Sequence, residues 1–202
     1  MFDLLAQGGP IMWIFPVLSV VALAVIVERF LYLNLVEKDK DRLILEWQKA
    51  WQSQQWDSFL GLCHVSLSPL ATLLKDAYEH RNEAPAIYKE TVQQKLESLL
   101  PLLDKHVVVL GTISNIAPLL GLLGTVLGNI EAFNVLNRLQ GIGDPAKLAE
   151  GIATALLTTV GGIVVAVPAI IFYNYFVARI NRLETELRGL VGQITALREA
   201  RP

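Results

Sequence analysis

Residues 113–130 read ISNIAPLLGLLGTVLGNI, a run without a charged residue. Extended back to Val107 it reaches the roughly 20 apolar residues that a helix needs to cross the hydrocarbon core of a bilayer. Within it Gly111, Asn115, Pro118, Gly121, Thr125 and Gly128 recur at three- and four-residue steps, near one face of a helix. Leucines occupy most positions between them. A small-residue stripe framed by leucine is the pattern of a helix that packs its backbone closely against a partner inside lipid.

A second such run lies downstream. Residues 151–176 read GIATALLTTVGGIVVAVPAIIFYNYF, also uncharged, and place Ala155, Thr159, Gly162, Ala166 and Ala169 on one stripe, with Thr154 and Thr158 one step aside. A third precedes both, with the uncharged core IMWIFPVLSVVALAVIV from Ile11. It lacks a basic residue before it and a small-x-small site after it, so a retained helix is expected rather than a cleaved leader. The expected fold class is an all-α membrane protein with three transmembrane helices. The expected segments are an extracytoplasmic N-terminus over 1–10, spans over 11–33, 107–130 and 151–178, a helical region over 34–106, a hairpin over 131–150 and a C-terminal helix over 179–202.

Composition agrees. Of 202 residues 53% are hydrophobic, and the net charge of −2 gives no basic face for nucleic acid. One cysteine, Cys63, precludes an internal disulfide, and His64, His80 and His106 lack metal-ligand spacing. No cofactor or metal is expected. With no Walker motif, GxSxG or HExxH, an enzyme is the least supported class.

Basic residues set the expected orientation. None lies in 1–10, whereas Arg179, Arg182, Arg188, Arg198 and Arg201 follow the third span. The positive-inside rule then puts the N-terminus and the 131–150 hairpin outside and residues 34–106 and the tail in the cytoplasm. The 34–106 region reads as amphipathic helices over Asp39–Gln54, Trp56–Cys63, Pro69–Arg81 and Pro85–Leu103. The last of these has no strong stop before the second span, so one helix is expected from Pro85 to Asn137, kinked at Pro101. Asp144-Pro145 is the expected start of the third spanning helix. That helix continues into an apolar stripe of Ile180, Leu183, Leu187, Leu190, Val191 and Ile194, which a single chain is not expected to bury alone.

Two readings of the threonines and glycines stay open: they pack helices, or the hydroxyls line a hydrated path. Pro118 and Pro168 are likewise kinks, or they free carbonyls for such a path. No Asp, Glu, Lys, Arg or His occupies the core of any span. Glu28 and Arg29 end the first span as an interfacial pair, Arg29 expected to snorkel. Proton transfer through a membrane ordinarily uses an ionisable group at depth. The chain is therefore no proton conductor, or a partner supplies the carboxylate.

Ala117-Pro-Leu-Leu-Gly-Leu-Leu-Gly-Thr-Val-Leu-Gly128 with Ala132-Phe133 resembles the second span of the ExbB/TolQ/MotA proton-channel family. Ile152-Ala-Thr-Ala-Leu-Leu-Thr-Thr-Val-Gly-Gly162, Val165-Ala-Val-Pro-Ala169 and Tyr173-Asn174 resemble its third. Gly8-Gly9-Pro-Ile-Met-Trp13 and Val27-Glu-Arg-Phe-Leu-Tyr32 resemble the ExbB branch. The resemblance implies a homopentamer around a pore that holds two ExbD-like single-span subunits, each bringing an Asp. Beside the packing and kink positions Pro118, Gly121, Gly128, Gly162 and Pro168 and the flanking Thr154 and Thr158 already read from the residues, it places the family's pore threonines at Thr125 and Thr159. It departs at Thr154, where the family often has a glutamate. The implied function is a stator that couples the proton motive force, through a TonB-like protein, to outer-membrane transport. A Tol-Pal-like or gliding task for the same motor, or a structural membrane scaffold, are the rival readings.

Overall fold

The computed structural model describes residues 9–66, 68–138 and 145–199. Every described element is an α-helix: α1 (Gly9–Met12), α2 (Ile14–Ser53), α3 (Asp57–Val65), α4 (Pro69–Glu79), α5 (Pro85–Asp104), α6 (Val107–Arg138) and α7 (Pro145–Glu199). Three helical stretches are long and apolar enough to cross a membrane: Gly9–Ser53, Val107–Asn134 and Ala149–Glu199. The expected hairpin at Gly141-Ile-Gly-Asp-Pro145 lies outside the described residues save for Pro145, where α7 starts.

The helix expected over Asp39–Gln54 is not separate. It is the second half of α2, a helix of 40 residues. No Gly or Pro stands between Pro16 and Gly61, and a change from apolar to charged side chains does not break a backbone ladder. The stop comes at Gln54, whose φ of 58° is left-handed. The amide of its side chain donates to the Trp51 carbonyl at 2.9 Å. The continuous helix expected from Pro85 to Asn137 is interrupted instead, ending as α5 at Asp104 and resuming as α6 at Val107. Pro101 lies inside α5. Its missing N–H leaves the Glu97 carbonyl without a ladder partner, yet α5 continues past it to Asp104. Lys105 keeps right-handed dihedrals of −41° and −41° across the gap.

The chain divides into two compact units, one of Met1–Val27 with His106–Tyr175 and one of Glu28–Lys105 with Phe176–Pro202. In the first, α6 and α7 pack antiparallel. A Cβ on Gly111 would meet Tyr173 at 2.9 Å, one on Gly128 would meet Ala155 at 2.8 Å, and one on Gly151 would meet Ala132 at 3.0 Å. Phe15 joins them, with Ala117 and Ala166 beside it.

In the second unit, large side chains fill the interior at heptad-like steps. They include Leu33, Val36, Leu43 and Trp47 on α2, Tyr88, Val92, Leu96 and Leu103 on α5, and Ile180, Leu183, Leu187 and Ile194 on α7. The α7 stripe expected to need a second copy is thus covered within this chain. Its cover is the short-helix region: α4, started by Pro69 with the Ser68 hydroxyl accepting from the Leu70 N–H at 3.3 Å, buries Leu70, Leu73, Leu74 and Ala77. Arg29 does not snorkel. It is 3% exposed and donates to the Leu103 carbonyl at 3.2 Å.

Candidate hydroxyl site between two membrane-spanning helices

The close approach of α6 and α7 begins at glycine. A Cβ on Gly162 would stand 2.5 Å from the Ala117 carbonyl oxygen, and one on Gly121 would stand 3.0 Å from the Thr158 carbonyl oxygen and from the Thr159 Cα. With backbones this near, a threonine on one helix reaches the other. The Thr125 and Thr159 hydroxyls hydrogen-bond to each other. Thr125 Oγ1 also lies 3.2 Å from the Gly121 carbonyl and 3.2 Å from the Ala155 carbonyl across the interface. Thr159 Oγ1 lies 3.3 Å from the Gly121 carbonyl. The result is a compact patch of two hydroxyls and two carbonyls, half-buried, between helices that carry no Asp, Glu, Lys, Arg or His over 107–130 and 151–175. Such a patch can donate to, accept from and hydrate a polar group brought to it. By itself it has no group that exchanges a proton near neutral pH.

Thr158 belongs to the same contact in a different way. It is 1% exposed, and its hydroxyl donates to the Ala155 carbonyl at 2.7 Å. Gly124 makes room for it: a Cβ there would fall 2.6 Å from the Thr158 Cβ. Thr154 is half-buried and stands one turn before Thr158, apart from the Thr125–Thr159 pair. Gly121, Gly128 and Gly162 all sit at helix contacts. Pro118 and Pro168 lie inside α6 and α7 without ending them, so the Ser114 and Val164 carbonyls lose their ladder partners. Sequence reading did not single out Gly124 or Gly161. A Cβ on Gly161 would stand 3.0 Å from the Phe15 ring and 3.2 Å from the Met12 sulfur, so the glycine admits the first span. The Gly124-x-x-x-Gly128 spacing carried a signal for the first. Gly161 had none, because the helix packed on it is remote in sequence.

Much of the remaining surface of α6 and α7 within 107–130 and 151–175 is apolar and exposed. Leu119, Leu123, Val126 and Leu127 on α6 and Leu156, Val160, Ile163 and Val164 on α7 are 46–64% exposed, so lipid or another transmembrane chain must cover them. Together these features define a multi-pass helical membrane protein with a polar patch in an otherwise uncharged helix pair.

Residues 65–189 match the model of the MotA/TolQ/ExbB proton channel family, and the chain belongs to that family. It is 28% identical over 177 residues to a biopolymer transport protein ExbB-like 3 of Synechocystis, covering 87% of this chain and 84% of that one. It is 35% identical over 136 residues to a biopolymer transport protein ExbB of Pseudomonas putida, covering 62% of this chain and 41% of that one. A Tol-Pal system protein TolQ of Haemophilus influenzae is 33% identical over 106 residues, covering 52% and 44%.

Proposed function

We propose that the chain is the stator subunit of a proton-driven motor in the bacterial inner membrane. Five copies surround a pore, and an ExbD-like single-span partner supplies the aspartate. The observation that carries this reading is the Thr125–Thr159 hydroxyl pair, half-buried between helix segments, 107–130 and 151–175, that hold no carboxylate. A pair closed on itself and fully buried would be packing alone, as Thr158 is. A half-buried pair still has a side for a partner's carboxylate. Thr154, at the position where the family often has a glutamate, extends the hydroxyl path, and Thr158 supports it. Protons move inward, because the arginines after the third span put the C-terminus in the cytoplasm. The ExbB likeness favours transfer of the work through a TonB-like protein to outer-membrane transport. The TolQ likeness favours a Tol-Pal-like envelope task as the second reading.

The test is proton-motive-force-dependent uptake by cells carrying Thr159→Val, Thr125→Val and the corresponding Ser variants, with assembly checked by co-purification. Valine keeps the shape but dries the path, and a carboxylate facing an apolar wall holds its proton more tightly. Uptake is expected to vanish in the Val variants and persist in the Ser variants. Normal uptake by Thr159→Val would overturn the reading. If Tol-Pal phenotypes are restored and uptake is not, the second reading stands.

A further inference from the structure

The chain crosses between its two units three times, at Val27–Glu28, Lys105–His106 and Tyr175–Phe176. Two arginines stand within about a turn of these crossings, both in the unit of Glu28–Lys105 and Phe176–Pro202. Arg29 follows the first crossing. Its guanidinium forks onto Glu28 at 2.5 and 2.5 Å, lies 4.5 Å from the Tyr32 ring centroid, and donates to the Leu103 carbonyl at 3.2 Å, just before the second crossing. That carbonyl belongs to the last turn of α5, where the ladder is interrupted. A buried cation there satisfies an orphan acceptor and complements the helix dipole.

Arg179 follows the third crossing. It forks onto Glu37 at 2.7 and 2.5 Å and donates to the Asn34 side chain at 2.7 Å. Its side chain is 12% exposed. One arginine thus ties α2 to α5, and the other ties α2 to α7. Charge-assisted, two-pronged hydrogen bonds are directional. They resist one helix sliding on another, which glycine–alanine contacts and dispersion do not.

We propose that Arg29 and Arg179 form a collar of positioning residues that holds α2, α5 and α7 in register at the three crossings, so that force generated in the membrane becomes work and not slip. The inference rests on the motor reading above. A stator takes the reaction to the force it exerts on its partner, and the crossings are where that reaction leaves the spanning segments. Without the collar, protons pass but the helices give way.

The experiment uses the full complex of this chain with its single-span partner. Proton flux is measured in proteoliposomes, energised uptake in cells, and backbone amide exchange over 102–104 and 176–183. In Arg29→Gln and Arg179→Gln, exchange is expected to rise about tenfold, flux to stay within about twofold of normal, and uptake to fall about tenfold. Arg179→Lys keeps the cation without the fork and should fall between. If Arg29→Gln does not accumulate, Arg179→Gln and Glu37→Gln carry the expectation. Parallel loss of flux and uptake would reduce the collar to a folding role and overturn the inference, as would unchanged exchange or unchanged uptake. A wild-type complex that conducts no protons refutes the motor reading instead, and the exchange data alone then decide whether the arginines hold the helices.

Discussion

The membrane-spanning unit buries Ala117, Ala155, Thr158, Ala166 and Ala169 beside a few larger residues such as Phe15 and Leu110, whereas the other unit buries Trp47, Phe59, Tyr88 and a set of leucines. Both units are helical, and both bring long helices side by side. They differ in the solvent each helix would otherwise meet. In lipid, a leucine gains little by moving from acyl chains to another helix, so the contact selects residues that let backbones close in. In water, each large apolar side chain removed from solvent contributes about 1.5–3 kcal/mol, so the contact selects bulk. The polar chemistry divides likewise. The spanning helices hold hydroxyls paired with carbonyls, while the other unit holds charge pairs such as Lys40–Glu186 and Arg188–Glu97.

The largest effect that tests this contrast is Phe59→Ala. Phe59 is 0% exposed and meets the Trp47 ring edge-on at 5.3 Å, so truncation should destabilise its unit by about 3–5 kcal/mol in a denaturant titration followed by tryptophan fluorescence. Leu119→Ala, at a spanning position that is 64% exposed, should stay within about 0.5 kcal/mol. Comparable losses at both sites would break the comparison.

Next comes Gly162→Val. Its Cβ would sit 2.5 Å from a backbone oxygen, which no side-chain rotation relieves, so α6 and α7 must separate. A loss of about 1–3 kcal/mol or more is expected, read as a lower thermal midpoint in detergent. Gly192→Val, in open space on α7, should leave that midpoint nearly unchanged.

Thr158→Val is smaller. The hydroxyl that reaches Ala155 lies inside a membrane contact, and losing it should cost about 0.6–1.7 kcal/mol. The same midpoint measures this.

The smallest is a pH effect on the other unit. Arg179 hydrogen-bonded to Glu37 holds that carboxyl below its ordinary value. The pair's contribution is therefore complete above the ordinary glutamate range, near pH 4.5, and drains as pH falls through the lower folded value. Glu37 is 38% exposed at its side chain, and screening limits the effect to about 0.2–1 kcal/mol. Denaturant midpoints at about pH 7 and about pH 3 should differ less in Glu37→Gln than in the native chain.

The spans and the small-residue stripes were legible in the sequence, because lipid imposes one rule on every residue that meets it, while Thr125 and Thr159 stood out through the family resemblance. The helices of the 57–104 region were legible at their starts, where Pro69 and Pro85 stand. The continuity of α2 was not, since the sequence changes polarity near Asp39 while the backbone ladder runs on to Ser53. The gap at Lys105–His106 was not legible either, because neither residue is a breaker.

By itself the sequence determined three spanning helices, a family, and span cores without Asp, Glu, Lys, Arg or His, for each of these follows from which residue types are present or missing along one helix. Only the tertiary structure decided which hydroxyls meet. Thr158 and Thr159 are neighbours of the same type, yet one is sealed against Gly124 and the other faces Thr125. Only the tertiary structure covered the α7 stripe from within the chain, and only it drew Arg29 inward onto Leu103. Such outcomes depend on the distance between segments remote in sequence, and that distance is set by the packing of both helices at once.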